Sequence, residues 1–479
     1  MKFFKRDAVF YKKVFSIALP IALQSLITIG VNMLDTIMVG TLGDDALSAT
    51  SLANSFITVY HIFCMGLGMG ASVLVSRYWG MKSAAENEGD KKAEEQACRA
   101  LKQTCALMLR ITLSLALIFA LATAFMPRTI MRMYNDEKAI LDFGVTYFRY
   151  SIPTYFFLGS SLVCTIVLRS VGQVKLPLFV SIGAFFVNLG ANYLLIFGKL
   201  GLPQMGVAGA ALGTLIARLF EAAVICGYLL IFDKKIYFRV KNLFMNTVSL
   251  TSEYFRISIP VLVSDAILAF GNNAVAMVIG HLGGTFVSAN AITSVTQQLS
   301  AVGITGVSQA GAIVTGQTLG EGDRDRAMEQ GYLFMGLGLF LGAVSAAVII
   351  LISNPVITIY RNISDGNISE ETVKIARQLM VAISIIIIFQ GTNSIMTKGV
   401  LRGGGDTKLL MITDNIFLWV LAIPLGILGG FVFKLSPFWI FIFLKSDQIV
   451  KTVYAYLRLR SGKWIKKITT GKDPAKEAT

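Results

Sequence analysis

An internal repeat joins two long stretches, residues 15–53, FSIALPIALQSLITIGVNMLDTIMVGTLGDDALSATSLA, and residues 255–293, FRISIPVLVSDAILAFGNNAVAMVIGHLGGTFVSANAIT. They align without a gap at a spacing of 240 residues. Chance similarity between apolar helices would match leucine and isoleucine, whereas these matches include proline, asparagine and glycine. The repeat therefore indicates a duplicated fold. Identical pairs include Pro20/Pro260, Asn32/Asn272, Gly40/Gly280, Gly43/Gly283 and Ala49/Ala289.

The composition excludes most soluble classes of protein. Hydrophobic residues make up 54% of the 479 residues and charged residues only 15%, whereas about 25% charged residues is usual in a soluble chain. Mean hydropathy is +0.66, and several apolar runs approach the roughly 20 residues that cross a bilayer as a helix. The sequence therefore predicts an all-α polytopic membrane protein, not a typical soluble enzyme, a secreted disulfide scaffold or a disordered chain.

Apolar runs between charged or Gly/Pro-rich segments predict twelve transmembrane helices. Two long polar connections, 78–97 and 233–254, are expected in water because lipid offers their backbone groups no partners. Both copies of the repeat start on the same side, which predicts two pseudo-symmetric six-helix bundles. The predicted helices are 14–39, 50–77, 98–124, 143–167, 177–198, 206–232, 255–280, 288–318, 328–352, 375–401, 409–433 and 437–457.

The charge pattern predicts orientation. The 43 Lys and Arg exceed the 28 Asp and Glu, giving a net charge of +15. Basic clusters at 2–13, 82–92 and 234–241 and the tail from Arg458 fall on one side, which is then cytoplasmic. We expect a multi-pass protein of the cell (plasma) inner membrane, with lipids around it and both termini in the cytoplasm. No basic run is interleaved with stacking aromatics, so no nucleic-acid partner is expected.

These observations predict a division of the chain into two lobes. The N-terminal lobe covers residues 1–232, a cytoplasmic inter-lobe loop covers 233–254, the C-terminal lobe covers 255–457, and a basic cytoplasmic tail covers 458–479. Parallel repeats of this kind are typical of transporters that alternate access to a substrate path between the lobes.

Three stretches resemble the multidrug and toxic compound extrusion (MATE) family of the multidrug, oligosaccharidyl-lipid and polysaccharide exporter (MOP) superfamily. They are ALPIALQSLITIGVNMLDTIMVGTLG at 18–43, MGVAGAALGTLIAR at 205–218 and LRGGGDTK at 401–408, each at its expected place in a duplicated twelve-helix layout. The resemblance covers nearly the whole chain. It implies export of organic cations or amphiphiles in exchange for protons or sodium ions.

Asp35 is the clearest ionisable group inside a predicted span. It lies five residues before Gly40, at the outer end of the first helix, and Asn32 shares its face three residues earlier. An ionisable side chain in a transmembrane helix usually faces a protein or water-filled interior. A partly dehydrated carboxyl there would let a proton, a sodium ion or a cationic drug compete for one group.

The resemblance gives further residues a role in ion coupling. In the family, an aspartate fifteen residues after a kink proline binds the coupling ion, and Asp35 stands fifteen residues after Pro20. The resemblance also implies Asn188, Asn192 and Thr214 as oxygen ligands, with Na⁺ a possible metal at Asp35. Some members carry aspartate at the position of Asn192, so the choice between H⁺ and Na⁺ stays open here.

The second half lacks these groups. Val275 stands at the repeat position of Asp35, so the ion chemistry is asymmetric. The second half instead offers Asp265, Asn272 and Asn393 as candidate substrate-path residues, with Pro260 as its kink proline. Asp265 is either an anion facing the substrate or a packing residue. One branch of the family carries acidic residues in helices seven and ten where this chain has Leu268 and Asn393.

Several other charged residues have simpler readings. Asp414 is expected to be structural, and Arg218 with Glu221 and Asp447 with Lys451 are spaced to pair on one helix face.

The function predicted from the sequence is a secondary antiporter that exports organic cations or amphiphilic drugs by alternating access. The alternative is a flippase for a lipid-linked saccharide. An enzyme is not expected, because no Walker lysine pattern supports ATP hydrolysis. The five cysteines are scattered without a C-x-x-C motif, and no cofactor is expected.

Overall fold

The computed structural model describes residues 7–363 and 369–466, and every regular element in those ranges is helical. Nine of the described helices are long and apolar enough to cross a membrane, or eleven with two bent pairs each taken as one span. The all-α membrane class predicted from the sequence is confirmed. The helices are α1 Ala8–Gly40, α2 Asp44–Glu88, α3 Lys91–Phe125, α4 Pro127–Arg132, α5 Lys138–Ser151, α6 Thr154–Ser170, α7 Lys175–Phe197, α8 Val207–Gly227, α9 Val248–His281, α10 Gly284–Ser300, α11 Val302–Gly320, α12 Arg324–Ile363, α13 Glu370–Ser394, α14 Thr407–Ile416, α15 Ile423–Ile427, α16 Pro437–Leu444 and α17 Ser446–Arg460.

Wider π-helical turns, in which bonds run from residue i to i+5, extend several of these helices. One follows α8, and three lie in the second half, next to α13, α14 and α15. Such turns are rare and often occur at functional sites. They are Tyr228–Phe232, Ile395–Leu401, Phe417–Ala422 and Leu428–Val432; a short 3₁₀ turn spans Val240–Phe244.

Three predicted spans are interrupted. The span 143–167 consists of α5 and α6, bent by 56° at Pro153, and the span 288–318 consists of α10 and α11, bent by 45°. Proline has no N–H to continue the preceding helix, which accounts for the first bend. The last span is split at Lys445 into α16 and α17.

The prediction of a long polar connection at 78–97 is wrong. The second helix runs to Glu88 and the third begins at Lys91, so only Gly89 and Asp90 separate them. The Asp90 carboxylate accepts hydrogen bonds from the backbone N–H groups of residues 92 and 93 and so caps the third helix. Glu, Lys and Arg are good helix formers, which accounts for the continuation of both helices through this charged stretch.

The predicted loop 233–254 is shorter than expected, because α9 already begins at Val248. Asp233 is fully buried, and its carboxylate accepts from the backbone N–H groups of Ile236 at 2.8 Å and Tyr237 at 3.2 Å. The Lys235 carbonyl accepts from the Lys82 ammonium of α2 at 2.9 Å. The segment is therefore fastened to the helices of its own half.

The described chain forms two compact units. One is built from residues 23–262, and the other from residues 7–22 together with those from 263 to 466. The changes fall two residues after Pro20 and two after Pro260, both inside continuous helices. Each proline-containing helix thus contributes its first part to one unit and its second part to the other. Residues 1–6 and 467–479, parts of the predicted N-terminal lobe and tail, lie outside the described residues.

Glycines at equivalent repeat positions pack against the first segments of α9 and α1, the segments that precede the change of unit. In the unit of residues 23–262, a Cβ on Gly66 of α2 would lie 2.7 Å from the Cα of Leu262 of α9. In the other unit, a Cβ on Gly306 of α11 would lie 2.4 Å from the carbonyl oxygen of Ala18 of α1. Both distances are too short for a side chain, so each glycine permits direct backbone packing.

An apolar cluster surrounds the end of α1 near Asp35. It includes Met38 and Val39 of that helix, Phe148 of α5 and Ile196 of α7. The cluster fixes the second part of α1 against its neighbours within the unit of residues 23–262.

Candidate functional site

Asp35 of α1 and Asn192 of α7 form the centre of the site. The Asn192 side-chain amide donates to Asp35 Oδ1 over 2.6 Å, and the same nitrogen lies 3.3 Å from Asn188 Oδ1, one helical turn away. Asn188 and Asn192 are 5% and 1% exposed, so the carboxylate contacts buried amides. The structure thus brings together three of the residues predicted for ion coupling.

The third wall of the site is α8. A Cβ on Gly213 would lie only 2.0 Å from Asn192 Oδ1, so this position must be glycine for the amide to keep its place. Among the described residues, that buried oxygen has no hydrogen-bond partner. A buried amide oxygen without a donor is costly, so this position of the amide is maintained against an unfavourable contribution.

Further polar groups surround Asp35. The Tyr147 hydroxyl donates to Asn54 Oδ1 at 3.1 Å, and the predicted site residue Thr214 lies beside that hydroxyl. Sequence reasoning missed Tyr147 and Asn54, because neither stands out by spacing or by the repeat. Arg218 of α8 also acts electrostatically on the carboxylate.

The predicted pairing of Arg218 with Glu221 is confirmed, with 2.7 Å between guanidinium and carboxylate. Asn32 is exposed, and the contacts described for Asp35 come from α7 and α8 rather than from its own helix.

The residues present could hold a small hard cation. Asp35 offers carboxylate oxygens, and Asn188, Asn192 and Thr214 offer amide and hydroxyl oxygens, the ligand type that hard cations prefer. Only one of these groups is charged. Within residues 7–363 and 369–466, no group of three His, Cys, Asp or Glu side chains forms a metal site.

The MatE family model matches residues 20–90, 91–194 and 260–428, which include Asp35 and both asparagines of α7. The chain belongs to the MatE family. A probable multidrug resistance protein NorM of Thermotoga maritima is 26% identical over 469 residues, covering 97% of this chain and 96% of the relative. The multidrug resistance protein NorM of Burkholderia vietnamiensis is 25% identical, covering 86% and 85%.

Solved MATE transporters share the fold. A mutant form of the Vibrio cholerae MATE transporter VcmN superposes with a TM-score of 0.82 at 16% identity, covering 96% of this chain and 98% of that structure. An outward-facing multidrug resistance MATE transporter of the MOP superfamily gives 0.80 at 18% identity, covering 95% and 97%. MATE structures have twelve transmembrane helices, the number predicted for this chain. The chain is thus a multi-pass membrane transporter, and its family is not an enzyme family.

In the second half of this MatE chain, the three residues predicted for the substrate path do not form one site. Asp265 of α9 pairs with Arg402 at 3.4 Å, and that arginine is only 8% exposed. Asn393 of α13 is buried, and its amide donates to Gln448 Oε1 of α17 at 3.0 Å. Asn272 is exposed. These three residues therefore have separate surroundings, and the pairing of Asp265 had no signal in sequence spacing.

The predicted pair of Asp447 and Lys451 in this MatE chain is confirmed at 2.9 Å. The same lysine lies 3.8 Å from Asp414 of α14. All three side chains are buried. Sequence spacing could not indicate the contact of Lys451 with Asp414, because the two residues lie on different helices.

Proposed function

We propose that this MatE transporter is a cation-coupled antiporter that exports organic cations or amphiphiles, with Asp35 as the coupling carboxyl. The observation that carries the proposal is the 2.6 Å hydrogen bond between Asp35 and Asn192. This bond links the second part of α1 to α7, and Asp35 is the one charged residue among Asp35, Asn188 and Asn192. A cation that binds there changes the charge that holds these helices together.

The coupling follows from competition for one carboxylate. A proton or sodium ion at Asp35 neutralises the charge that an organic cation would otherwise use, so binding of the ion favours release of the substrate. Only a difference in ion affinity between two conformations can shift the balance between them. The bond to Asn192 supplies such a difference, because it must weaken when the carboxylate is neutralised.

The geometry favours a proton as the coupling ion. To ligate Na⁺, Asn192 would have to turn its amide oxygen toward the ion and give up its bond to Asp35. That oxygen instead faces Gly213, in a space too small for a methyl group. A proton on the carboxyl requires no such rotation, and no second carboxylate stands at position 192 to attract a metal ion.

The proposed setting is the cell inner membrane, with both termini in the cytoplasm, as the excess of Lys and Arg on one side favours. The alternative of a lipid-linked saccharide flippase finds no support, since the relatives reported above are named multidrug resistance proteins. A carboxylate site suits cationic substrates, whereas a pyrophosphate headgroup requires cationic groups.

Counterflow in proteoliposomes tests the proposal. The probe is a fluorescent organic cation, and proton and sodium gradients are imposed separately. We expect transport driven by the proton gradient in the wild type and none in Asp35→Asn, which keeps the side-chain shape without the charge. Asp142→Asn is the matched control, because Asp142 is exposed and pairs only with exposed Arg128 among the described contacts. Full gradient-driven transport in Asp35→Asn would refute the assignment.

A further inference from the structure

Three charged side chains meet inside the unit that contains the second half of the chain. Lys451 of α17 lies 2.9 Å from Asp447 Oδ2 and 3.8 Å from Asp414 Oδ1 of α14. Asp447, Lys451 and Asp414 are 2%, 3% and 5% exposed. We call these three residues the acid–base triad. Ser181 stands at the repeat position of Asp414, so the first half has no such carboxylate there.

The hydrogen bonding of the triad is incomplete. Gln448 donates to Asp447 Oδ2 at 2.7 Å, and Asn393 donates to Gln448 at 3.0 Å. Among the described residues, however, Asp447 Oδ1 and Asn393 Oδ1 are buried without a hydrogen-bond partner. A buried carboxylate oxygen without a hydrogen-bond donor is strongly unfavourable. Asp447 Oδ1 therefore requires a donor that the described side chains do not supply.

The charge count points to the same deficiency. Two carboxylates and one ammonium leave the triad with a net charge of −1 when all are ionised, and an uncompensated buried charge is strongly destabilising. Two of these groups, Asp447 and Lys451, form the closer pair. Asp414 is the more weakly paired acid, because its carboxylate lies 3.8 Å from the Lys451 ammonium.

The nearest charges outside the triad are of both signs, and none of them forms an ion pair with the triad among the described residues. Asp265 of α9 and Arg402, which follows the π-helical turn after α13, pair with each other and so cancel. Lys398 in that turn acts on Asp414 but is exposed, and Lys445 at the break before α17 acts on Asp447. Tyr454 of α17 is a further titratable neighbour of Asp414.

The helices that carry the triad are irregular. The last helix, α17, packs on the π-helical turns Ile395–Leu401 and Phe417–Ala422, and Asp414 lies three residues before the second. A π-helical turn leaves the helix ladder locally adjustable and is frequent at functional sites. The triad therefore lies where a change of charge can be accommodated by small backbone shifts.

We propose that Asp414, Asp447 and Lys451 form a second proton-binding site, separate from Asp35, that holds one proton between its two carboxyl groups. The proton belongs to the cluster rather than to one residue. The existence of this site does not rest on the coupling role proposed for Asp35, because the two lie in different units of the chain.

The test is infrared difference spectroscopy of the purified full chain between acid and alkaline pH, read at the carboxylic-acid C=O band, with potentiometric proton uptake as the second measurement. Asp35→Asn should keep the band of the triad. Asp414→Asn should remove it, because Asp447 and Lys451 then form a neutral pair. Asp447→Asn should remove the same band, because Asp414 and Lys451 then form a neutral pair. Each single variant should take up one proton fewer than the wild type.

Two controls separate this result from damage to the fold. Asp142→Asn, on the surface, should leave band and proton uptake unchanged. Lys451→Met should strengthen the band, since both carboxyls must then be protonated. Asp414→Asn mimics the protonated acid in shape and should elute from gel filtration as the wild type does. A band that survives in both Asp414→Asn and Asp447→Asn, or proton uptake that is the same in these variants and the wild type, would overturn the proposal.

Discussion

Gly306 of α11 lies against the carbonyl of Ala18 of α1 so closely that a Cβ would come within 2.4 Å of that oxygen. Gly66, 240 residues earlier, has the same relation to Leu262 of α9. The repeat that is visible in the sequence thus reappears as a repeated backbone contact. In each unit, the glycine packs against the first part of a helix, and the second part of that helix belongs to the other unit.

The contact at Gly306 predicts a sharp steric effect. Gly306→Ala should lower stability by about 1–3 kcal/mol, the usual cost of overpacking a close contact. Gly303→Ala in the same helix is the matched control, because nothing lies within 4 Å of its added methyl group. The measurement is the apparent unfolding temperature in detergent. Equal unfolding temperatures for the two variants would show that the contact is looser than described.

Gly213→Ala should change proton binding at Asp35 without altering a charged group. Its methyl group would displace the Asn192 amide and break the bond to Asp35, and a hydrogen bond to a charged group contributes about 1.5–3 kcal/mol. Because that bond stabilises the ionised carboxylate, we expect its loss to raise the apparent affinity of Asp35 for the coupling proton roughly tenfold or more. Dependence of counterflow on pH and on sodium concentration measures this. Gly190→Ala in α7, where the added methyl group meets open space, should behave as the wild type does.

Asp233→Asn should loosen the segment between the two halves of the sequence. The buried carboxylate accepts from several backbone N–H groups and from Gln173 at 3.0 Å, and an amide in its place would turn an N–H group toward some of these donors. We expect faster limited proteolysis between Asp233 and Thr247 and a lower unfolding temperature. Surface variant Asp142→Asn should change neither; cleavage of Asp233→Asn at the wild-type rate would contradict the expectation.

Cys164 of α6 and Cys226 of α8 predict a chemical cross-link. Their sulfur atoms are 3.5 Å apart, and Cys164 is buried. Diamide, a membrane-permeable oxidant that is reduced to its hydrazine as two thiols become a disulfide, should join them. Peptide mass spectrometry of the oxidised protein measures the product, and Cys226→Ser removes it. A dominant disulfide that involves Cys98 instead would contradict the described packing.

Sequence patterns predicted the short-range features well. The spacing of Arg218 from Glu221 and of Asp447 from Lys451 sufficed for both pairs, since residues three or four apart share a helix face. The repeat and the apolar runs predicted the helical class. Asp35 and Asn192 were expected at one site from the family resemblance, and their 2.6 Å contact agrees with that.

Features that depend on distant parts of the chain had no signal in the sequence. Asp265 meets Arg402 across 137 residues, and Lys451 meets Asp414 from a different helix. The helix ends near Glu88 and Lys91 were misread as a loop, because a charged run that continues a helix into water looks like a connection. No local pattern around Pro20 or Pro260 indicates that each helix divides between two units.

The division of α1 and α9 bears on how such a chain could have arisen. In a half-length ancestor with one copy of the repeat, the first segment of the first helix would have had no packing site within its own subunit. A second copy would have supplied that site if the two subunits exchanged these segments. Duplication and fusion then turn an exchanged homodimer into one gene product. Severing the modern chain into its two copies should accordingly yield fragments that become stable only when they are synthesised together.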